Sequence, residues 1–468
     1  MTNSLLVGTN VLFPVLLLPY LTRVLGPDKI GVFNWASAVV SYMVILTTVG
    51  LTKIGTREIG RHRSDMESIN RLVSDIFGLR ILLAAVGCIV LLILCIVVDT
   101  FSRYALVVLI LATQIVFDAL GHDWVFVGLG RQAAILARNT VSKLLLLIGV
   151  FAFVRTPADF LRFVLLYAVA YNVPLIANFA LLFDAHALSF SGEVIRRYRT
   201  PEVGTNFVMS IMTGFFGKMD VVLLGLLMSM HDLGVMSTVY KVVSVLLVFI
   251  TSWAMVLLPR SAQLHGADRA GYVLFVRKSL DMVIVVSGFV VLMLVYNASW
   301  IVTVLLGSQF AAGAALLAGM APLILIIGVY NVLTHQVLYV ERRYREVVVI
   351  MGASIVAFAL LATRSYSAYG AMGVVCALVV ANSLIGVMIG AVVVRRYGNV
   401  FFDLNVLKSA LAIALVALGC WLTAGPSAGI AAVALRVGLS AVTYCSALLI
   451  LRERFTSTVA LRLRRRLA

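Results

Sequence analysis

Stretches of about twenty apolar residues, broken by short polar or charged turns, follow one another along nearly the whole chain. A helix needs about 20 residues to cross roughly 30 Å of hydrocarbon, so this pattern predicts a polytopic helical bundle. Fourteen such spans can be drawn. The first seven run at about 5–25, 32–52, 74–98, 104–126, 136–153, 161–183 and 204–228. The others run at about 234–258, 274–296, 313–338, 345–363, 368–394, 405–424 and 427–450. The first holds Pro14 and Pro19 and lacks a basic leader, so it reads as a retained helix rather than a cleaved signal peptide. The longest connections, 53–73 and 184–203, are too short for a soluble domain.

Composition agrees with the pattern. Of 468 residues, 62% are hydrophobic and only 12% charged, far from an average soluble domain. The expected class is an all-α integral membrane protein. Its formal net charge of +17 would elsewhere suggest nucleic acid. Here 26 of the 37 basic residues fall in alternate loops and the tail, where anionic headgroups attract them, and there is no folded basic domain to grip a polynucleotide. Only Arg23, Lys29, Arg103, Arg155, Arg162 and Arg364 lie in the other set of loops. Cytoplasmic loops collect Lys and Arg, which places both termini in the cytoplasm.

An internal repeat is visible between the halves. At an offset of 203 residues, "IGVFNWASAVVSY" meets "LGVMSTVYKVVSV", setting Gly31 on Gly234, Val32 on Val235 and Ser41 on Ser244; Arg57 then meets Arg260 and His62 meets His265. The organisation expected is an N-lobe of helices 1–6 over 1–190, a cytoplasmic connector over 191–203, and a C-lobe of helices 7–12 over 204–396. Helices 13–14 occupy 397–451 and a basic cytoplasmic tail 452–468.

Cys88, Cys95, Cys376, Cys420 and Cys445 all lie within spans and form no C-x-x-C pair, and the six histidines show no metal-binding spacing. Phosphate-cradling glycine loops are absent too. Nothing supports an enzyme or a metal site, which leaves polar groups inside the membrane as the functional candidates. Asn206, Ser210, Gly214 and Lys218 fall at four-residue steps on one face of span seven; Lys241 and Ser244 share a face of span eight; Asn34, Ser37 and Ser41 line span two. These positions are expected to line a wet, cation-bearing cavity suited to an anionic cargo, since ammonium and guanidinium groups bind phosphate oxygens strongly. Gln114, Asp118 and His122 recur at i, i+4 and i+8 with Asp123 beside them, and Lys143 begins the next span. An intramembrane ion pair and a proton or sodium relay both fit that pattern; Asp220, two residues from Lys218 and so turned away from it, is a further candidate for ion coupling. Arg80 stands near enough to a span end to snorkel to the interface.

The block "FPVLLLPYLTRVLGPDKIGVFNWASAVVSY" followed by "GLTKIGTREIGR" resembles the opening of the bacterial polysaccharide-transport proteins. These are the O-antigen or oligosaccharide flippases of the multidrug/oligosaccharidyl-lipid/polysaccharide exporter superfamily. "DWVFVGLGR", "FFGKMDVVLLG", "LGVMSTVYKVV" with "LLPR", and "LLGSQFAAGAALL" resemble later blocks of that family in the right order, covering residues 8 to 395. The resemblance implies two six-helix lobes around a central cavity plus two C-terminal helices. It further implies movement of an undecaprenyl-diphosphate-linked oligosaccharide (O-antigen, capsule or exopolysaccharide repeat) across the bacterial inner membrane by alternating access. Its motif blocks contain Arg23, Arg57, Asp220 and Arg260, and its cation-lined lumen suits Lys218 and Lys241. Membrane lipids and other polysaccharide assembly proteins are the partners it suggests, with H+ or Na+ as coupling ion and no other cofactor. A lipid II flippase and a cation-coupled drug exporter share the superfamily, although intramembrane lysines disfavour cationic drugs. A membrane-embedded polysaccharide polymerase is the alternative from another class. Polymerases generally carry a large periplasmic loop, whereas the longest outer segment here, 297–312, is short and apolar.

Overall fold

The computed structural model describes residues 2–48, 51–61, 65–183, 221–401 and 430–451, with isolated positions between 405 and 414 and at 456. Among them every regular element is helical. That follows from the solvent: lipid offers no hydrogen bonds, and a helix satisfies its backbone within one segment. Eight described helices are long and apolar enough to cross a membrane, and Ala105–Leu120 and Val437–Ile450 are shorter apolar helices. Two of the long elements each contain two predicted spans. Thr2–Thr48 bends at Gly26 (φ 73°), and Tyr344–Tyr397 bends at Gly370 (φ 58°). Spans seven and thirteen lie largely outside the described residues.

The helices turn apolar surface outward as well as inward. In Gln132–Phe153, Val141, Leu144, Leu145 and Ile148 are exposed on one side, while Ile135, Ser142, Leu146 and Val150 are buried on the other. Lipid solvates the outer stripe, so hydropathy alone does not tell which face packs.

The 53–73 connection holds more order than its polarity suggests. Leu51–Arg61 is a helix whose Leu51, Ile54 and Ile59 are buried, while Arg57 and Arg61 are exposed. Spacing of i, i+3 and i+8 puts the apolar residues on one face, and that face packs with Ile69, Val73, Ile76, Trp124 and Val125. Its charges hid it from a search for twenty-residue apolar windows.

Contacts divide the chain into two compact units, Met1–Ser237 and Thr238–Ala468, the boundary falling inside the helix Met230–Ala267. Each unit repeats local devices of the other. Asp65 caps the helix Met66–Val97 by accepting from Ser68 N at 3.1 Å, and Asp268 caps Arg269–Leu306 by accepting from Gly271 N at 2.9 Å. These caps stand at the same offset that aligns Gly31 with Gly234. Further on, one turn occurs twice. Leu129, Gly130 and Arg131 donate backbone N–H groups to Val125, Val127 and Phe126; Glu341, Arg342 and Arg343 donate to Val337, Tyr339 and Leu338. Gly130 has φ 77° and Arg342 φ 60°, so the second copy holds an arginine in the left-handed region that the first fills with glycine. Caps 203 residues apart and the same turn recurring 212 residues apart, in the same order along each half, argue for internal duplication.

In the second unit, Tyr444 packs among Val285, Leu292, Ala412 and Leu448, and its hydroxyl donates to Val285 O at 3.0 Å. Tyr272 likewise donates to Gln336 O at 2.9 Å. Each buried phenol satisfies its hydroxyl on a neighbouring helix and so ties two helices together.

The caps give a stability test. Asp268→Ala should cost about 1 kcal/mol in a denaturation series in detergent, and Asp268→Asn, which keeps an acceptor oxygen, should cost much less.

Candidate functional site

The polar positions fall into three groups. The first lies where residues 27–34 cross residues 230–237, all within the first unit. A Cβ built on Gly31 would stand 1.9 Å from Met230 O, and one built on Gly234 would stand 1.9 Å from Pro27 O. Only glycine fits either place, and each presents a Cα hydrogen to the opposite carbonyl, a reciprocal weak hydrogen bond. One turn along the helix, Asn34 Nδ2 donates to Ser237 Oγ at 2.9 Å. At the other end, His231 Nδ1 and Asp28 Oδ2 are 3.2 Å apart. Asn34–Ser237 and Asp28–His231 each join residues 203 apart, and the same offset turns the Gly31–Met230 contact into the Gly234–Pro27 contact, which is the pattern of a local two-fold axis. Trp35 is fully buried beside Gly225, edge-on to Phe101 and Tyr104.

The expected cavity positions divide. Asn34 is buried in this crossing. Ser41 donates to Ser37 O at 2.7 Å and Ser244 to Lys241 O at 2.8 Å, so both hydroxyls are satisfied on their own helices. Lys241 is half-buried. Asn206, Ser210, Lys218 and Asp220 lie outside the described residues.

The remaining expected cations, Arg23, Arg57 and Arg260, are exposed. Arg23 donates to Pro19 O at 3.0 Å, Arg57 pairs with Glu58 at 3.3 Å, and Arg260 donates to Gln263 Oε1 at 2.9 Å. Within the first unit the helical stretch from Gly26 to Thr48 lies between Arg23 and Arg57. At 1.5 Å per residue that stretch is about 33 Å long, so these two do not form one patch.

The third group is the polar interior of the first unit. Arg80 does not snorkel: it is 3% exposed. Its Nη1 donates to Gly121 O at 2.7 Å, and its Nη2 reaches Asp118 Oδ2 at 2.8 Å and Asp118 O. The guanidinium therefore covers the C-terminal carbonyls of Ala105–Leu120, where a cation is favoured, and neutralises the carboxylate on the same turn. Asp123 is more open, with 41% of its side chain exposed. It accepts from Asn178 and lies 3.9 Å from Arg138, whose guanidinium sits over the Phe126 ring at 4.8 Å. Lys143 is half-buried nearby in sequence, but the cations on these carboxylates are Arg80 and Arg138. His122 is buried and stacked on Phe77, Asn172 donates to Thr113 Oγ1 at 2.9 Å, and Gln114 is buried. Among the described residues no three His, Cys, Asp or Glu side chains converge as a metal site would need.

The described residues form a multi-spanning helical membrane fold with paired charges in its interior. The chain belongs to the polysaccharide biosynthesis protein family, which matches residues 1–265. It is 22% identical over 349 residues to a candidate O-antigen transporter of Escherichia coli (strain K12), covering 72% of this chain and 82% of that one. A candidate O-antigen transporter of Shigella dysenteriae is 30% identical over 158 residues, 32% of this chain and 38% of that one. In fold the chain is similar to a lipid II flippase, MurJ, in an inward closed conformation, with a TM-score of 0.75, 12% identity and coverage of 98% and 99%. It is similar also to an inward-facing multidrug resistance transporter of the MATE family, with a TM-score of 0.55, 12% identity and coverage of 89% and 100%.

Removing one partner of a buried ion pair leaves an uncompensated charge, so Arg80→Ala should destabilise by about 3–5 kcal/mol. Arg80→Leu combined with Asp118→Leu should recover most of that loss. Thermal unfolding of the single and double variants reads the difference.

Proposed function

We propose that this protein is a flippase that carries an undecaprenyl-diphosphate-linked oligosaccharide, the repeat of an O-antigen, capsule or exopolysaccharide, from the cytoplasmic to the periplasmic leaflet. The observation that carries this reading is membership of the polysaccharide biosynthesis family together with similarity to an O-antigen transporter over 82% of that relative's length. The flippase-like fold supports a lipid-borne cargo. Transport proceeds by alternating access, with residues 1–190 and 204–396 as the two lobes joined by the 191–203 connector, helices 13–14 added at 397–451, and the 452–468 tail in the cytoplasm. Both termini face the cytoplasm of the bacterial inner membrane, as the loop charges favour.

The cargo's headgroup is a diphosphate, so the lumen needs positive charge without a fixed geometry, which lysine supplies. Lys218 and Lys241 hold that charge along the route, and Arg23, Arg57 and Arg260 attract the headgroup at its two ends. Each negative charge moved outward across an inside-negative membrane gains about 2.3 kcal/mol per 100 mV, so the potential drives export of the anion. Coupling to H+ or Na+ falls to Asp123: Asp118 is committed to Arg80, while Asp123 is more exposed and only loosely paired. Membrane lipids, and other proteins of polysaccharide assembly that receive the flipped unit, are the partners.

Lys218→Ala and Lys241→Ala should each reduce surface polysaccharide at least tenfold at matched membrane protein levels. Normal surface polysaccharide in both variants would remove the lysines from the route.

A further inference from the structure

A polar cavity of about 220 Å³ opens in the first unit between the short helix Asp99–Arg103 and the bend at Met228–Ser229. It is lined by Asp99, Thr100, Arg103, Tyr104 and residues 225–230. The cation-lined route proposed above does not involve these residues. Asp99 and Arg103 are exposed and stand four residues apart on one helix face, and among the described residues neither enters an ion pair. Thr100 and Tyr104 add a hydroxyl each. On the opposite wall the helix over 221–227 ends, and a helix end leaves carbonyls without an intrahelical donor. Behind this wall stands Trp35, fully buried, whose Nε1–H has no hydrogen-bond partner. Buried donors are nearly always paired, so this one calls for an acceptor. Gly225 is common to both features: a Cβ there would stand 1.9 Å from Trp35 Cδ1 and 2.4 Å from Nε1, and the same residue lines the cavity. Any side chain at 225 would come between the indole and the cavity. Tyr104 is shared as well, lying edge-on to Trp35 with ring centroids 6.2 Å apart.

We propose that this cavity is a saccharide subsite that takes one neutral sugar ring. Charge decides the class of ligand. Arg103 would hold a phosphate but Asp99 repels it, and the reverse disfavours a cation. A polyol uses both groups, since its hydroxyls donate to the carboxylate and to the free carbonyls and accept from the guanidinium. A further ring hydroxyl accepts from Trp35 Nε1 past Gly225. The Tyr104 ring, whose faces are negative, suits the C–H side of a pyranose. Size decides how much is bound. Pockets for drug-sized ligands run about 300–1,000 Å³, so this one holds a single ring and not a chain. Residues 98–104 join spans three and four on the side that the proposed topology makes periplasmic, so the subsite meets the sugar once it has crossed. That placement rests on the flippase reading, whereas the match to a sugar ring does not.

Binding is measured by isothermal titration calorimetry on the full-length protein in detergent. The probes are inorganic pyrophosphate, a panel of neutral monosaccharides (glucose, galactose, mannose, rhamnose and N-acetylglucosamine), and the saccharide released by mild acid from the host's lipid-linked pool. At least one saccharide probe should bind saturably. Asp99→Asn combined with Arg103→Gln should weaken that binding at least tenfold. Trp35→Phe, which keeps an aromatic ring but removes the N–H, should weaken it severalfold without lowering the unfolding temperature. No saccharide binding, or binding equally strong in all these variants, overturns the proposal, as does a site that takes pyrophosphate and no sugar. If a monosaccharide binds and the released saccharide does not, the subsite stands and its part in transport fails. If depleting the protein leaves no lipid-linked pool on the cytoplasmic leaflet, the flippase reading fails, and the monosaccharide titration alone decides the subsite.

Discussion

In hydrocarbon an unpartnered polar group costs several kcal/mol, and the rest of this structure follows from that cost. Backbone groups are satisfied by coiling into helices, which is why helices alone appear among the described residues. Side chains meet the same demand in two ways. Serines such as Ser41, Ser244 and Ser287 return their hydroxyls to carbonyls of their own helix. Larger groups bind across helices and so fix which helices are neighbours: Arg80 with Asp118 and Gly121, Asn172 with Thr113, Asn178 with Asp123, Tyr444 with Val285. The apolar residues, solvated equally well by lipid and by one another, supply much less of that choice.

Duplication adds a second constraint. Where residues 27–34 meet residues 230–237, each segment must accept its own mate, and glycine is the residue that lets two backbones approach there. Gly31 and Gly234 serve this role, and the flanking mates have diverged into complementary partners, an amide with a hydroxyl and a carboxylate with an imidazole. Identical charges at positions 28 and 231 would face each other at that distance and repel, so divergence at the axis is itself a physical requirement. Away from it the copies drift under weaker demands, as at the turn where Gly130 in one corresponds to Arg342 in the other. The exposed guanidinium is retained there despite a backbone conformation that costs an L-residue roughly 1 kcal/mol.

Much of this was legible in the sequence because hydropathy and helical spacing are local. The spans at 136–153 and 161–183 fall within the helices Gln132–Phe153 and Phe160–Phe183, and the span at 74–98 overruns Met66–Val97 by one residue. The 203-residue offset identified residues that prove to touch, though it was read as ancestry and not as contact. What stayed hidden depends on depth and on neighbours. Snorkelling was expected of Arg80 from its distance to a span end, but a buried acceptor at equal depth, the Gly121 carbonyl and Asp118 on another helix, outcompetes the interface. Arg138 looked like one more basic loop residue until Asp123 and Phe126 were seen beside it. The Leu51–Arg61 helix escaped because its apolar face is only three residues wide. Lys218, Asp220 and the stripe of Asn206 and Ser210 in span seven lie outside the described residues.

The most direct test of the account is where the lipid-linked oligosaccharide resides when this protein is removed. After depletion, lipid-linked species are quantified by mass spectrometry, and a membrane-impermeant sugar label applied to intact and to opened cells reports their leaflet. A flippase predicts accumulation on the cytoplasmic leaflet, shielded from the label until the cells are opened. Accumulation on the periplasmic leaflet, or no accumulation at all, would contradict it.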